Sequence, residues 1–224
     1  NNSNVLTKSL SKTYKKITHA QGVYLYDEDG RRYMDFGAGL AVTNIGNGVK
    51  EVCDAIAKQV YEVTYLNGGA FTSAVREELA SNIIKLAPEG MERVFFCSGG
   101  SEAVESMAKI ARQYQIEMGR PSKYKIISRW QSYHGNTFGT LSLGGRPSWR
   151  CRYDNLLLHM PHIAQCNCYR CPYGLERCSC NVPCAEELER VIKYEGAESV
   201  AAFVLEPVTG TTATATVPPV EYMK

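Results

Sequence analysis

The sequence predicts an α/β fold in which a mainly parallel sheet is sandwiched by helices, preceded by a small N-terminal α+β segment. Short, continuous apolar runs suit strands that are buried on both faces; they are VFFC (94–97), KIIS (125–128), LLLHM (156–160) and VAAFVL (200–205). Helical patterns alternate with these runs, clearly at 102–118 and 185–194, as the crossovers of a parallel sheet require. The segment 22–36 alternates apolar and polar residues around Asp29-Gly30, which is typical of a hairpin between two short strands.

Two amphipathic helices are predicted between the hairpin and the first buried strand. Apolar residues recur at steps of three and four in 49–63, and the same spacing returns in 72–87. We therefore divide the chain into an N-terminal strand segment, 1–48, and a partial large domain, 49–224. A cysteine-rich insertion at 164–184 is longer than an ordinary loop.

Composition excludes several classes of function. The chain has 224 residues, of which 44% are hydrophobic and 21% charged, as in a globular protein. Its net charge of +2 comes from 25 basic and 23 acidic residues without a long basic run, so nucleic acid is not a predicted partner. No stretch approaches the roughly 20 apolar residues of a membrane span, and the first ten residues are polar. We expect a cytoplasmic protein with no membrane partner.

A glycine loop follows the run at 94–97 and leads straight into a helix. Its residues are Ser98, Gly99, Gly100 and Ser101. The first amides of a helix have no partner within it and favour negative charge, so this loop predicts an anion site. The alternative is that Ser101 only caps the helix and the glycines form a tight turn. The loop matches neither a Walker motif nor a GxGxxG fingerprint.

Two further candidate segments follow other predicted strands. Ser132-Tyr133-His134-Gly135 comes soon after 125–128, and Glu206 comes directly after the apolar run at 200–205. In open α/β sheets the carboxyl ends of the strands are where ligands bind. Taken singly, a Tyr-His pair in a loop is more often structural, and a lone loop glutamate is more often solvated.

Together these motifs resemble the class III (omega) pyridoxal-phosphate-dependent aminotransferases. The resemblance covers the N-terminal half of that family and the whole of this chain. Its most specific parts are FFCSGGSEAVESMAKIAR, SYHGNT, EPVTG and GRRYMDFGAGLAVTNIG. It implies the large domain of fold type I for pyridoxal-phosphate enzymes, in incomplete form.

The resemblance also implies roles for individual residues. Pyridoxal 5'-phosphate is the implied cofactor, with the loop from Ser98 through Gly99 and Gly100 to Ser101 at its phosphate. Tyr133 would cover the cofactor ring, with His134 in support, because a flat aromatic ring is stabilised by an aromatic partner. Glu206 would be a catalytic and cofactor-binding residue near the ring edge and the substrate. By position, the substrate side would include Leu40 and Phe71.

The reaction implied by the resemblance transfers an amino group from an amine or amino acid to a keto acid, in a homodimer. Relatives on the same scaffold carry out decarboxylation, elimination or aminomutase chemistry, and these alternatives stay open. The lysine that binds the cofactor aldehyde and the aspartate at the ring nitrogen lie further along the chain in this family. Because the sequence ends at Lys224, we expect a fragment that is inactive by itself.

Six cysteines fall within the insertion at 164–184. Four of them provide a possible zinc site, with finger-like spacing in the first pair only: Cys168, Cys171, Cys178 and Cys180. The alternative is a set of reduced or partly paired thiols. Two other classes of function follow from these features, a non-catalytic zinc-stabilised interaction domain and a nucleotide-binding enzyme that uses the glycine loop.

Overall fold

A computed structural model describes residues 3–176 and 180–224. The chain divides into two compact units, residues 1–92 and 93–224. The predicted boundary between the N-terminal segment, 1–48, and the partial large domain, 49–224, stays a prediction. Within the described ranges, no helix combines the length and the apolar character that crossing a membrane requires.

The first unit contains an antiparallel three-stranded sheet followed by helices. Its strands are β1 (Ile17–Gln21), β2 (Tyr24–Asp27) and β3 (Arg32–Met34), in that order across the sheet. The predicted hairpin is confirmed: Gly30 has a φ of +75°, and its amide donates to the carbonyl of Asp27 at 3.0 Å. The buried Asp27 carboxylate also accepts from the amides of Asp29 and Arg31, which fixes the turn.

The two helices predicted at 49–63 and 72–87 are confirmed. A four-residue turn, α1 (Ala38–Ala41), precedes α2 (Lys50–Glu62) and α3 (Ala74–Leu86). The side chain of Ser73 caps α3 by accepting from the amide of Arg76 at 3.3 Å. Neither α2 nor α3 contains a buried residue.

The second unit is built on a parallel sheet in the order β5-β4-β6. These strands are β4 (Lys125–Arg129), β5 (His162–Ile163) and β6 (Val200–Phe203). Long helices precede β4 and β6, namely α4 (Gly100–Glu117) and α7 (Pro183–Glu195), and two short ones, α5 (Phe138–Leu143) and α6 (Pro147–Arg150), follow β4. Turns of 3-10 helix occur at Asp154–Leu156 and Val220–Met223.

Helices α4 and α7 cover opposite faces of this sheet. Ile127 is fully buried and packs with Ile163 and Val200 against three side chains of α7, Leu188, Val191 and Ile192. Its neighbour Ile126 instead lines a groove with residues of α4. Because successive side chains of a strand point to opposite faces, the sheet is covered on both sides, as predicted.

Two of the four predicted strands are wrong for this chain. Residues 94–97 belong to neither sheet in the described part of the structure, and 156–160 lie partly in a 3-10 turn, with β5 starting only at His162. A strand forms only where another strand pairs with it. The correct predictions, 125–128 and 200–205, are the two runs that pair with each other, in the register Lys125 to Val200.

Candidate active site

The glycine loop forms the N-terminus of the 18-residue helix α4. Gly99 precedes the helix in an extended conformation (φ −161°, ψ 166°) and provides no side-chain cap, while the Glu102 carboxylate of the first turn accepts from the amide of Ser98 at 2.9 Å. A Cβ added at Gly99 or Gly100 would meet no atom within 4 Å. Neither a positive φ nor a close neighbour therefore requires glycine here, and the missing side chains leave open space in front of the helix amides. This arrangement fits an approaching anion.

Ser101 joins this loop to the Tyr-His-Gly segment. Its Oγ accepts a hydrogen bond from the amide of Asn136 at 2.9 Å. Between them lies Gly135, whose φ is +141° and whose added Cβ would come within 2.6 Å of both Ser101 Oγ and Thr140 Oγ1. Glycine is required at this position for backbone conformation and for space. The structure thus brings two of the sequence-predicted segments into direct contact.

Glu206 joins the third predicted segment to the second. Its Oε2 accepts from the amide of Tyr133 at 3.0 Å, and its Oε1 accepts from the amide of Gly210 at 3.1 Å. Both carboxylate oxygens therefore contact backbone amides of two different loops. Ser101, Tyr133 and Glu206 belong to one continuous network at the carboxyl ends of β4 and β6.

Tyr133 and His134 of the Tyr-His-Gly segment have different surroundings. Tyr133 is 42% exposed and meets Trp149 edge to face, with 5.5 Å between ring centroids. His134 is 7% exposed, and its Nε2 has no hydrogen-bond partner among the described residues. Burial lowers the pKa of His134 below its usual 6.5; the charge of Glu206 opposes this shift, and that of Arg129 adds to it. Burial thus favours the neutral form of His134, and its Nε2 is left unsatisfied by the described residues.

Sequence reasoning missed two residues of this network. Arg129, the last residue of β4, donates from Nη2 to the carbonyl of Glu206 and to Thr209 Oγ1. Glu105 of α4 accepts from the hydroxyl of Thr137, just beyond the Tyr-His-Gly segment. Arg129 follows a buried apolar run as Glu206 does, so the rule that selected the glutamate would also have found the arginine. No comparable signal distinguishes Glu105 from other helix glutamates.

Leu40 and Phe71 belong to the first unit. Leu40 is 89% exposed and has a φ of +63°, the left-handed region that non-glycine residues rarely adopt. Phe71 is 65% exposed. Their place on the substrate side stays a prediction.

The cysteine insertion forms a small apolar pocket. The pocket has a volume of about 20 Å³. Its lining includes five cysteines: Cys166, Cys168, Cys171, Cys180 and Cys184. In the described ranges, no three histidine, cysteine, aspartate or glutamate residues are placed to hold a metal ion. Cys178, the remaining predicted ligand, lies outside the described residues. The zinc hypothesis gains no support from Cys168, Cys171 or Cys180.

Comparison with known proteins identifies the family. The model of the class-III aminotransferases matches residues 6–224. The chain belongs to this family. It is 38% identical over 197 residues to a putrescine–pyruvate aminotransferase of Pseudomonas aeruginosa, covering 87% of this chain and 43% of that protein. It is 36% identical over 218 residues to an uncharacterized aminotransferase, YodT, of Bacillus subtilis, covering 97% and 49%.

Solved structures extend the comparison to the fold. An amine transaminase from an uncultivated Pseudomonas species, in PLP-bound form, superposes with a TM-score of 0.89 at 32% identity, covering 98% of this chain and 50% of that one. The prediction of fold type I with an incomplete large domain is confirmed. This chain spans about half the length of the curated relatives it matches.

Proposed function

We propose that the protein carrying this chain is a pyridoxal-phosphate-dependent aminotransferase that moves an amino group from an amine or amino acid to a keto acid. Family membership and the PLP-bound transaminase relative support this proposal. The observation that carries it is the network in which Ser101 accepts from Asn136 and Glu206 accepts from Tyr133. Through it, an uncapped helix N-terminus and an aromatic loop form one site.

The residues of this chain fit the cofactor. The open space at Gly99 and Gly100 and the amides of α4 would hold its phosphate, and Ser98 and Ser101 flank them. Tyr133 would cover its ring. The unsatisfied Nε2 of the buried His134 requires a polar partner that the described residues do not supply. When bound, the cofactor supplies an electron-withdrawing ring that stabilises negative charge on the substrate carbon.

Glu206 would hold two loops of this site in place. Because both of its oxygens accept from backbone amides, its carboxylate fixes Tyr133 and Gly210 relative to each other. Charged acceptors make stronger hydrogen bonds than neutral ones, so the loop is held rigidly. A rigid loop keeps the aromatic side chain in one position and excludes water from the face it covers.

The partners and location follow from the same proposal. We infer a homodimer in the cytoplasm, with Leu40 and Phe71 on the substrate side. Light scattering and cell fractionation of the full-length protein test the first two. A panel of amines and amino acids with pyruvate or 2-oxoglutarate tests the reaction and its specificity.

Cofactor titration of the purified protein tests the site itself. Pyridoxal phosphate binding is followed by absorbance for the wild type and for Ser101→Ala, which loses a hydroxyl at the helix start. We expect affinity to fall by about tenfold, the value of one hydrogen bond to a charged group. Ser122→Ala, which removes an exposed hydroxyl elsewhere in the unit, is the matched control.

Two results would contradict the proposal. One is equal affinity for the cofactor in Ser101→Ala and the wild type. The other is tight binding of ATP in place of pyridoxal phosphate, which would favour a nucleotide-binding enzyme.

A further inference from the structure

Arg129 is the largest side chain in the described structure that is completely enclosed, with 2% of its surface exposed. A guanidinium has five N–H donors and stays charged, so burying it is costly unless its surroundings accept those bonds. The described residues place no carboxylate oxygen within salt-bridge distance of it. An enclosed charge of this kind requires a reason in the fold or in the site.

Two hydrogen bonds of the Arg129 guanidinium go to the loop after β6. Its Nη2 donates to the backbone carbonyl of Glu206 and, at 3.3 Å, to the hydroxyl of Thr209. The ring of the buried Tyr222 covers the guanidinium at 5.6 Å, within the range of a cation–π contact. One side chain of β4 thereby fixes a turn that lies about eighty residues further along the chain.

This turn controls the position of the aromatic loop. The carbonyl of Glu206 is held by Arg129, while its carboxylate holds the amide of Tyr133. The two ends of one residue are therefore fixed from opposite directions. A shift of the Glu206 backbone would also move the Glu206 carboxylate, which accepts the hydrogen bond from the Tyr133 amide.

We propose that Arg129 is a positioning residue, which sets the place of Glu206 and, through Glu206, the place of Tyr133 over the bound cofactor. This inference rests on the proposed function. The charge of Arg129 also lowers the pKa of His134, because a nearby cation disfavours protonation of an imidazole. Arg129 thus combines a geometric role with an electrostatic one, and the two are separable by substitution.

The test compares Arg129→Lys with Arg129→Met in the full-length protein. Lysine keeps the charge but loses the planar fork, whereas methionine loses both. We expect cofactor affinity and kcat to fall by roughly tenfold in the lysine variant and a hundredfold in the methionine variant, as one and two charged hydrogen bonds predict. Only the methionine variant should raise the pH at which the His134 ring titrates, measured by NMR.

Two controls separate this role from general stability. Arg112→Met removes another guanidinium that donates to a backbone carbonyl, that of Lys123, and should leave cofactor affinity unchanged. Thr209→Val removes one acceptor of Arg129 and is used if both Arg129 variants fail to fold; we expect about tenfold weaker cofactor binding.

The inference is overturned if folded Arg129→Met protein keeps wild-type affinity, kcat and His134 titration, or if Thr209→Val keeps wild-type cofactor affinity. Failure of the wild type to bind the cofactor would instead overturn the proposed function.

Discussion

The two units of the chain use their apolar residues differently. In residues 93–224, Ile127, Ile163 and Val200 come from three strands and form a buried cluster that α7 covers. In residues 3–92, helices α2 and α3 have well-formed apolar faces but no buried residue. Apolar periodicity therefore predicts that a helix forms, whereas burial depends on which other segments pack against it. The stability of the described chain should depend mainly on the second unit.

Replacing one isoleucine in each unit should produce the largest difference. Ile127→Ala removes a fully buried side chain and should lower the free energy of unfolding by about 2–5 kcal/mol. Ile56→Ala, at a position that is 59% exposed in α2, should change it by less than about 0.5 kcal/mol. Denaturant titration measures both, and equal losses would show that the units share one core.

Two glycines near the site should differ by a smaller amount. Gly135→Ala forces a methyl group toward Ser101 Oγ at a φ of +141°, so it should cost about 1–3 kcal/mol and weaken cofactor binding. Gly99→Ala places its methyl in open space and should leave stability within about 0.5 kcal/mol while still lowering cofactor affinity. Stability and affinity are measured on the same samples. A stable Gly135→Ala protein with normal affinity would contradict the described loop geometry.

The smallest effect is the dependence of stability on pH. Burial lowers the pKa of His134, so below about pH 6.5 the unfolded chain binds the proton more readily than the folded one. Stability is therefore lost as pH falls from 6.5 towards the lower folded-state pKa. His134→Gln should lose less stability than the wild type between about pH 8 and pH 5.

His162 limits the size of this difference, because burial lowers its pKa as well and it remains in the variant. An unchanged dependence in His134→Gln would contradict the buried, neutral imidazole.

The success of the sequence predictions depended on the range of the interactions involved. The hairpin at Asp29-Gly30 and the four long helices follow from local patterns, and they form where predicted. The run VFFC at 94–97 is as apolar as VAAF at 200–203, yet only the second is a strand. The run at 200–203 pairs with β4, and the sequence of one segment does not show which other segment will pack beside it.

The site shows the same limit. The glycine loop and Glu206 were selectable because each follows an apolar run, whereas Tyr133 was selected through the resemblance to the family. The hydrogen bonds that join them, from Asn136 to Ser101 and from Tyr133 to Glu206, link residues 35 and 73 positions apart. No spacing rule predicts such pairs, since they depend on how the strands and the helices between them pack. Arg129 follows the run at 125–128 as Glu206 follows its own run, so the strand-end rule reaches it, but its burial depends on tertiary packing.

The edge-to-face contact between Trp149 and Tyr133 makes this loop optically observable. The chain has two tryptophans, and Trp130→Phe would leave Trp149 as the single indole within these 224 residues. Its emission would then report directly on any molecule that comes to lie against Tyr133. A change in fluorescence on mixing would give the rate at which this surface becomes covered, without a label and without turnover.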